Sequence, residues 1–236
     1  MQGRLSFSAL ALTLSTASQA LTYTQDFMNG IPASKFTTSA YGDGTFSLDD
    51  TQGDVRLAKL TSPNGGMTGQ RVAFDLANFG GKIVGDFSTS VDLRDVTSTG
   101  SGISQFELQT FFADSSFFIN SFSNEGASNG YAAHVWDGSF RNPIQADTNA
   151  GTLRIARVGS ILSGYLDDKL IYATNNAADL TSVSFVCQTF TGNSPVSATY
   201  DNFTVSGQSQ AVPEPASLSA LAVGTLTALR RRNRGR

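Results

Sequence analysis

The feature that most constrains this chain is a period of two. Apolar and polar residues alternate in short runs, the runs are separated by clusters of Gly, Asn, Asp and Ser, and no stretch carries the repeat of an amphipathic helix. Across 71–78, Val72, Phe74 and Leu76 fall on one face while Arg71, Ala73, Asp75 and Ala77 fall on the other. The same alternation runs through Phe87, Thr89, Val91 and Leu93, then through Phe106, Leu108, Thr110 and Phe112. Strands apolar on one face bury that face and wet the other, which is the habit of antiparallel sheets. Residues 152–158 and 161–166 flank Gly159-Ser160, the spacing of a tight hairpin; a turn at Asp167-Asp168-Lys169 and a short strand over 170–172 follow. The pattern predicts an all-β sandwich or barrel.

Composition removes several chemistries. The only cysteine, Cys187, excludes an intrachain disulfide, and the only histidine, His134, excludes zinc sites built from several His or Cys ligands. Val183, Phe185 and Cys187 alternate on one face, and no basic residue neighbours the thiol, so Cys187 is expected to be a small buried hydrophobe.

The two ends read as addresses. Residues 1–20 place Arg4 before the apolar-rich run 5–14 and close on Ala17-Ser18-Gln19-Ala20, the layout of a secretory signal peptide cut after Ala20. Residues 213–236 run from Pro213-Glu214-Pro215 through an uncharged apolar stretch, 216–229, to five arginines within 230–236. The prolines present an extended peptide, the stretch enters a bilayer and the arginines stay in the cytoplasm. As a helix these residues span only ~21 Å against a core of ~30 Å, which suits transient inner-membrane insertion better than a permanent anchor. Between the ends, 21–206 reads as the body and 207–212 as a linker.

The tail resembles the PEP-CTERM sorting signal of Gram-negative bacteria that make exopolysaccharide, with Pro213, Glu214 and Pro215 as its motif. The resemblance implies two processing partners, signal peptidase and an exosortase that removes the tail, and delivery to the cell surface or the extracellular matrix. Without Arg4, the five tail arginines and Glu214, the body keeps ten basic and 18 acidic residues, a net charge of −8. That balance argues against nucleic acid and anionic membrane surfaces as partners.

The body has a second resemblance. Thr24-Gln25-Asp26-Phe27-Met28-Asn29-Gly30, the segment 85–93, the hairpin from Leu153 to Tyr165 and the closing Tyr200-Asp201-Asn202-Phe203-Thr204-Val205 occur in the order typical of concanavalin A-like and laminin G-like domains. It implies a two-sheet antiparallel jelly-roll sandwich whose first and last strands lie side by side. It also implies that a structural calcium ion could sit where those strands meet, near Asp26 and Asp201, with loop carbonyls completing the oxygen set. The alternative is that both aspartates solvate or cap strand ends. Asp49-Asp50 and Asp167-Asp168 read as turn formers.

Glucanases of this fold carry a Glu-x-Asp-x-x-Glu strand, because glycoside cleavage needs two carboxyl groups flanking one bond. The chain has only Glu107, Glu125 and Glu214, and Glu107 is followed by Leu-Gln-Thr-Phe-Phe. No Gly-x-Ser-x-Gly elbow surrounds any serine. The expectation is therefore no enzyme. A binding surface is the sharper reading: Gln105, Glu107 and Gln109 share a face opposite Phe106 and Leu108, and His134 and Trp136 share a face opposite Tyr131, Ala133 and Val135. On one concave sheet these residues would offer hydrogen bonds and a stacking plane to a polysaccharide. In the competing reading the glutamines are solvated and Trp136 fills the core edge. The function expected is an exported surface or matrix protein binding carbohydrate, with a purely structural component and a glycan hydrolase or lyase as alternatives.

Overall fold

The computed structural model describes residues 20–61, 66–99, 102–125, 127, 130–190 and 195–209. The sorting segment 213–236 and the signal peptide up to residue 19 lie outside them. The described strands are β1 Ala20–Gln25, β2 Phe36–Tyr41, β3 Thr45–Asp49, β4 Val55–Thr61 and β5 Thr68–Phe74. They continue with β6 Ile83–Ser98, β7 Ser104–Phe112, β8 Phe117–Ser123, β9 Ala132–Trp136 and β10 Phe140–Gln145. The last are β11 Gly151–Val158, β12 Ile161–Leu166, β13 Lys169–Asn175, β14 Leu180–Thr189 and β15 Val196–Ser209.

Antiparallel pairing arranges these strands in two layers. One layer runs β10-β9-β8-β7-β14-β5-β2. The other runs β13-β12-β11-β6-β15, and β15 pairs on its far side with β4 and with β1. Among the described pairings a single one, Leu180 with Ile83, links β14 to β6 and so joins the layers. The first strand lies against the last, Ala20 opposite Gln208 and Gln25 opposite Phe203, as the sandwich reading requires. β15 runs to Ser209, three residues into the expected linker.

The core fills the space between the layers with the faces that the alternation singled out. Phe106, Leu108, Phe118, Phe122, Val183, Phe185 and Cys187 from the first layer meet Val91, Leu93, Leu153, Ile155, Tyr200 and Val205 from the second, and all are buried. Tyr200 stacks on Phe185 with ring centroids 4.8 Å apart, and its hydroxyl donates to the Val186 carbonyl at 2.5 Å. The second layer is thus pinned to the backbone of β14 directly beneath the site described next.

One strand differs from expectation. Strand β5 stops at Phe74, because the Asp75 carboxylate accepts the Ala77 N–H at 2.8 Å and caps a short 3-10 turn over Leu76–Phe79. An N-cap aspartate offers the backbone a partner that a strand cannot, so the turn wins while Leu76 and Phe79 still reach the core. The Asp167-Asp168 turn is as read: both residues have positive φ, 47° and 63°, the conformation that two-residue hairpins favour and that Asp tolerates.

Candidate functional site: a polar-floored cleft on one sheet

Parity along each strand and register between strands assemble the outer face of the first layer row by row. The middle row runs His134, Ser121, Glu107, Val186 and Arg71 across β9, β8, β7, β14 and β5. A second row places Trp136, Ile119, Gln109 and Ser184 side by side, and a third places Ser123, Gln105, Gln188, Gly69 and Tyr41. These rows floor a cleft of about 610 Å³, a size typical of ligand sites. Met67, Phe190 and Trp136, each partly exposed, contribute apolar lining.

The floor is a connected hydrogen-bond network. Gln109 Nε2 donates to Glu107 Oε2 at 2.5 Å, and Gln188 Nε2 donates to Glu107 Oε1 at 2.8 Å. Gln188 Nε2 also lies 3.4 Å from Gln105 Oε1, while Gln105 Nε2 donates to Glu125 Oε2 at 3.0 Å. Arg71 Nη2 and Ser184 Oγ both donate to Gln109 Oε1, at 3.0 and 3.3 Å. The Tyr41 hydroxyl donates to Gln188 Oε1. Gly69 makes that last bond possible: a Cβ there would lie 2.6 Å from the Tyr41 hydroxyl oxygen and 2.6 Å from Gln188 Cβ.

Burial sets the charge states. Glu107 is 1% exposed, and loss of hydration pushes its carboxyl up to about 7, against the opposing pull of the Gln109 and Gln188 amides and of Arg71. Burial also raises the Tyr41 phenol well above its ordinary value, so it remains a donor. His134 is pushed the other way, down to about 4, because the charged imidazolium is disfavoured out of water.

The residues expected to bind sugar are distributed as follows. Gln105, Glu107, Gln109 and Trp136 line the one cleft. The glutamines are buried in the floor rather than solvated, and Trp136 is 41% exposed rather than filling the core edge. His134 shares the face but is fully buried, with the Phe140 ring 4.3 Å away and its Nδ1 3.3 Å from Ser123 Oγ. It is not part of the lining. Tyr41, Arg71, Glu125 and Gln188 are cleft residues that sequence reasoning did not single out. Arg71 and Gln188 were already on non-core faces by parity, whereas Tyr41 and Glu125 arrive through long-range pairing and a loop.

Asp26 and Asp201 each have hydrogen-bond partners of their own. Asp26 accepts the Met28 N–H at 3.2 Å, and Asp201 takes Arg94 Nη2 at 2.6 Å and the Asn202 N–H at 2.7 Å. The Arg94 guanidinium supplies positive charge to Asp201, and among the described residues no cluster of three His, Cys, Asp or Glu could hold a metal ion.

No family model matches the sequence, and no curated protein matches it. Solved structures do share the fold. The chain is similar to a beta-glucanase of Bacillus licheniformis, at 13% identity and a TM-score of 0.51, covering 79% of this chain and 97% of that one. It is similar to the kappa-carrageenase of Pseudoalteromonas carrageenovora, at 9% identity and 0.54, covering 85% and 100%. It is also similar to a CBM2 module of the evolved Dit of Lactobacillus casei BL23 phage J-1, at 12% and 0.53, covering 83% and 99%. The fold is therefore a jelly roll found in both glycoside hydrolases and binding modules.

These likenesses correct the expectation that the chain is no enzyme. That expectation rested on missing sequence motifs, a Glu-x-Asp-x-x-Glu strand and a Gly-x-Ser-x-Gly elbow, yet the structures sharing this fold include a glucanase and a carrageenase. The physical weakness of the inference is visible in the cleft: carboxylates need not share a strand to share a site, and Glu107 from β7 and Glu125 from the segment after β8 line the same cavity.

Proposed function

We propose that the cleft binds a segment of polysaccharide, in an exported protein held at the cell surface or in an exopolysaccharide matrix. One observation carries this reading: a buried network of three glutamine amides and one carboxylate, laid along the floor of an open cleft with Trp136 beside it. Amides in fixed orientation match sugar hydroxyls, which both donate and accept, and an indole offers its face to the C–H side of a pyranose. The likeness in fold to a carrageenase, a glucanase and a CBM2 module supports a glycan as ligand. Export is supported by the signal-like layout of 1–20 and by the Pro213-Glu214-Pro215 tail, with signal peptidase and an exosortase as processing partners. The test is calorimetric titration of the chain with polysaccharides from its own host, alongside mass spectrometry of its C-terminus in exosortase-bearing cells. Absence of binding by every polysaccharide tried, or an intact Arg236, would remove the corresponding half of the reading.

A second reading, glycoside cleavage, is favoured by Glu107. A carboxyl held up to about 7 keeps a proton near neutrality and could protonate a leaving oxygen, with Glu125 as the other carboxyl group of the cleft. Release of reducing ends from a bound polysaccharide, lost in Glu107→Gln, is the expected outcome of this reading; binding without any release would refute it.

A further inference from the structure

The charges of the cleft are placed unevenly. Arg71 is the one basic side chain among the described residues that line it. Its Nη2 is held by Gln109, and its guanidinium stands 5.6 Å from the centroid of the Phe111 ring. Its Nε is screened from water and has no acceptor among the described residues. Glu125 lies at the other side, beyond Gln105. Glu107 sits between them in the row of Arg71, with Val186 intervening.

We propose, building on the glycan-binding reading above, that the cleft selects a glycan bearing a negatively charged substituent, a carboxylate or a sulfate ester, seated on Arg71, and that this anion is taken up together with a proton on Glu107. A guanidinium is a planar fork whose N–H groups match the paired oxygens of either anion. With Glu107 ionised, the cleft already holds two carboxylates against one guanidinium, and a third negative charge would be opposed at short range in a site of low dielectric. A proton from solvent on Glu107 removes that opposition.

The surroundings make Glu107 the buried group that titrates near neutrality. Arg71 from β5, Tyr41 from β2 and Tyr200 from the core side interact with it electrostatically, His134 lies in its row beyond Ser121, and Glu125 lines the same cleft. His134 stays neutral above about 4, and burial holds the phenols of Tyr41 and Tyr200 protonated. Glu107 itself sits at about 7. A bound anion disfavours its charged form further, so anion binding should draw in a proton above neutrality and strengthen as the pH falls.

The experiment titrates the full chain with two matched pairs of oligosaccharides at a salt concentration where the −8 field of the body is screened. The pairs are oligogalacturonate with its methyl ester, and a sulfated galactan oligosaccharide with its desulfated counterpart. In at least one pair the charged member should bind about tenfold tighter or more, as expected of a charge-assisted hydrogen bond. The margin should widen between about pH 8 and about pH 6, and buffers of different ionisation enthalpy should report proton uptake at the upper pH. The responsive pair distinguishes carboxylate from sulfate. Arg71→Gln should abolish the preference within the responsive pair, Arg71→Lys should keep part of it, and Glu107→Gln should remove its pH dependence. Because the pairs are compared on the unaltered chain, a variant that fails to fold leaves the decision intact. Equal binding within both pairs overturns this proposal and leaves the glycan reading standing. A preference that survives Arg71→Gln overturns the assignment to Arg71. Failure of all four ligands to bind overturns this proposal, and if the host polysaccharides also fail to bind, the glycan reading falls with it.

Discussion

Gln188 on β14 reaches diagonally across the ladder to donate to Glu107 Oε1 on β7 at 2.8 Å, while its own Oε1 accepts from Tyr41 on β2. One amide therefore ties three strands together beneath the cleft, and its orientation is fixed because each end has one kind of partner. A carboxylate as deeply buried as Glu107 is expensive unless it is hydrogen-bonded or protonated. This site provides the first and, near neutral pH, permits the second.

The stability of the fold should record that compromise. The Glu107 carboxyl sits at about 7 in the folded chain against 4.5 for an ordinary glutamate, so the native state holds a proton that the unfolded chain has released. Its contribution is full below about 4.5 and is lost as the pH rises through about 7. Glu107→Gln should thus melt higher than the parent at about pH 8, by at most about 3 kcal/mol, with the difference closing at acid pH. Urea unfolding of both chains across that range checks it, and a constant difference would contradict the burial argument.

His134 should do the opposite. Its imidazole sits at about 4 in the fold against 6.5 when free, so here the unfolded chain binds the extra proton. Stability from this group is full above about 6.5 and is lost as the pH falls through about 4. Between 4.5 and 6.5 the two groups oppose each other. The parent should therefore show a nearly level profile there, whereas His134→Gln should lose stability with rising pH and Glu107→Gln should gain it. Parallel profiles for all three chains would show that neither group carries the linkage.

Much of this cleft was legible as parity. Placing Phe106 and Leu108 in the core forces Gln105, Glu107 and Gln109 onto the other face, and the same logic forces Gln188 out beside Cys187 and Arg71 out beside Val72. Two things were not legible. Parity says which residues leave the core but not that the face they join is itself covered, as Gln105, Glu107 and Gln109 are. It also says nothing of long-range register, which brings Tyr41 opposite Gly69 and Phe140 over His134. The strand over 71–78 failed for a local reason, the Asp75 cap, which competes with the ladder for the same backbone groups.

Gly69 offers a test of how the third row is built. A methyl group there would collide with the Tyr41 ring, whose Cζ would be 2.8 Å away, and with Gln188 Cβ. Gly69→Ala should displace the Tyr41 hydroxyl from Gln188 and free that amide to turn, while Tyr41→Phe removes the donor without disturbing the packing. Both variants should weaken glycan binding by roughly fivefold to tenfold, about one neutral hydrogen bond, and Gly69→Ala should in addition lower the melting temperature. Binding unchanged in Tyr41→Phe would mean that the Gln188 amide needs no anchor.

Trp136 separates binding from stability most cleanly, because it is the only tryptophan and it is 41% exposed at the end of β9. Its neighbour Val135 points into the core, so the indole is free to face the cleft beside Ile119. Truncating a buried tryptophan costs ~3 to 5 kcal/mol, but a half-exposed one sheds far less surface, and Trp136→Ala should cost only about 1 kcal/mol of stability. If its ring stacks on a sugar, the same substitution should remove most of the affinity for the bound polysaccharide, and the fluorescence of the parent should shift on titration, with no other indole to confuse the signal. A melt that drops by several kcal/mol would reassign Trp136 to packing. A silent fluorescence titration together with unaltered affinity would place the glycan elsewhere in the cleft, toward Arg71 and Phe111.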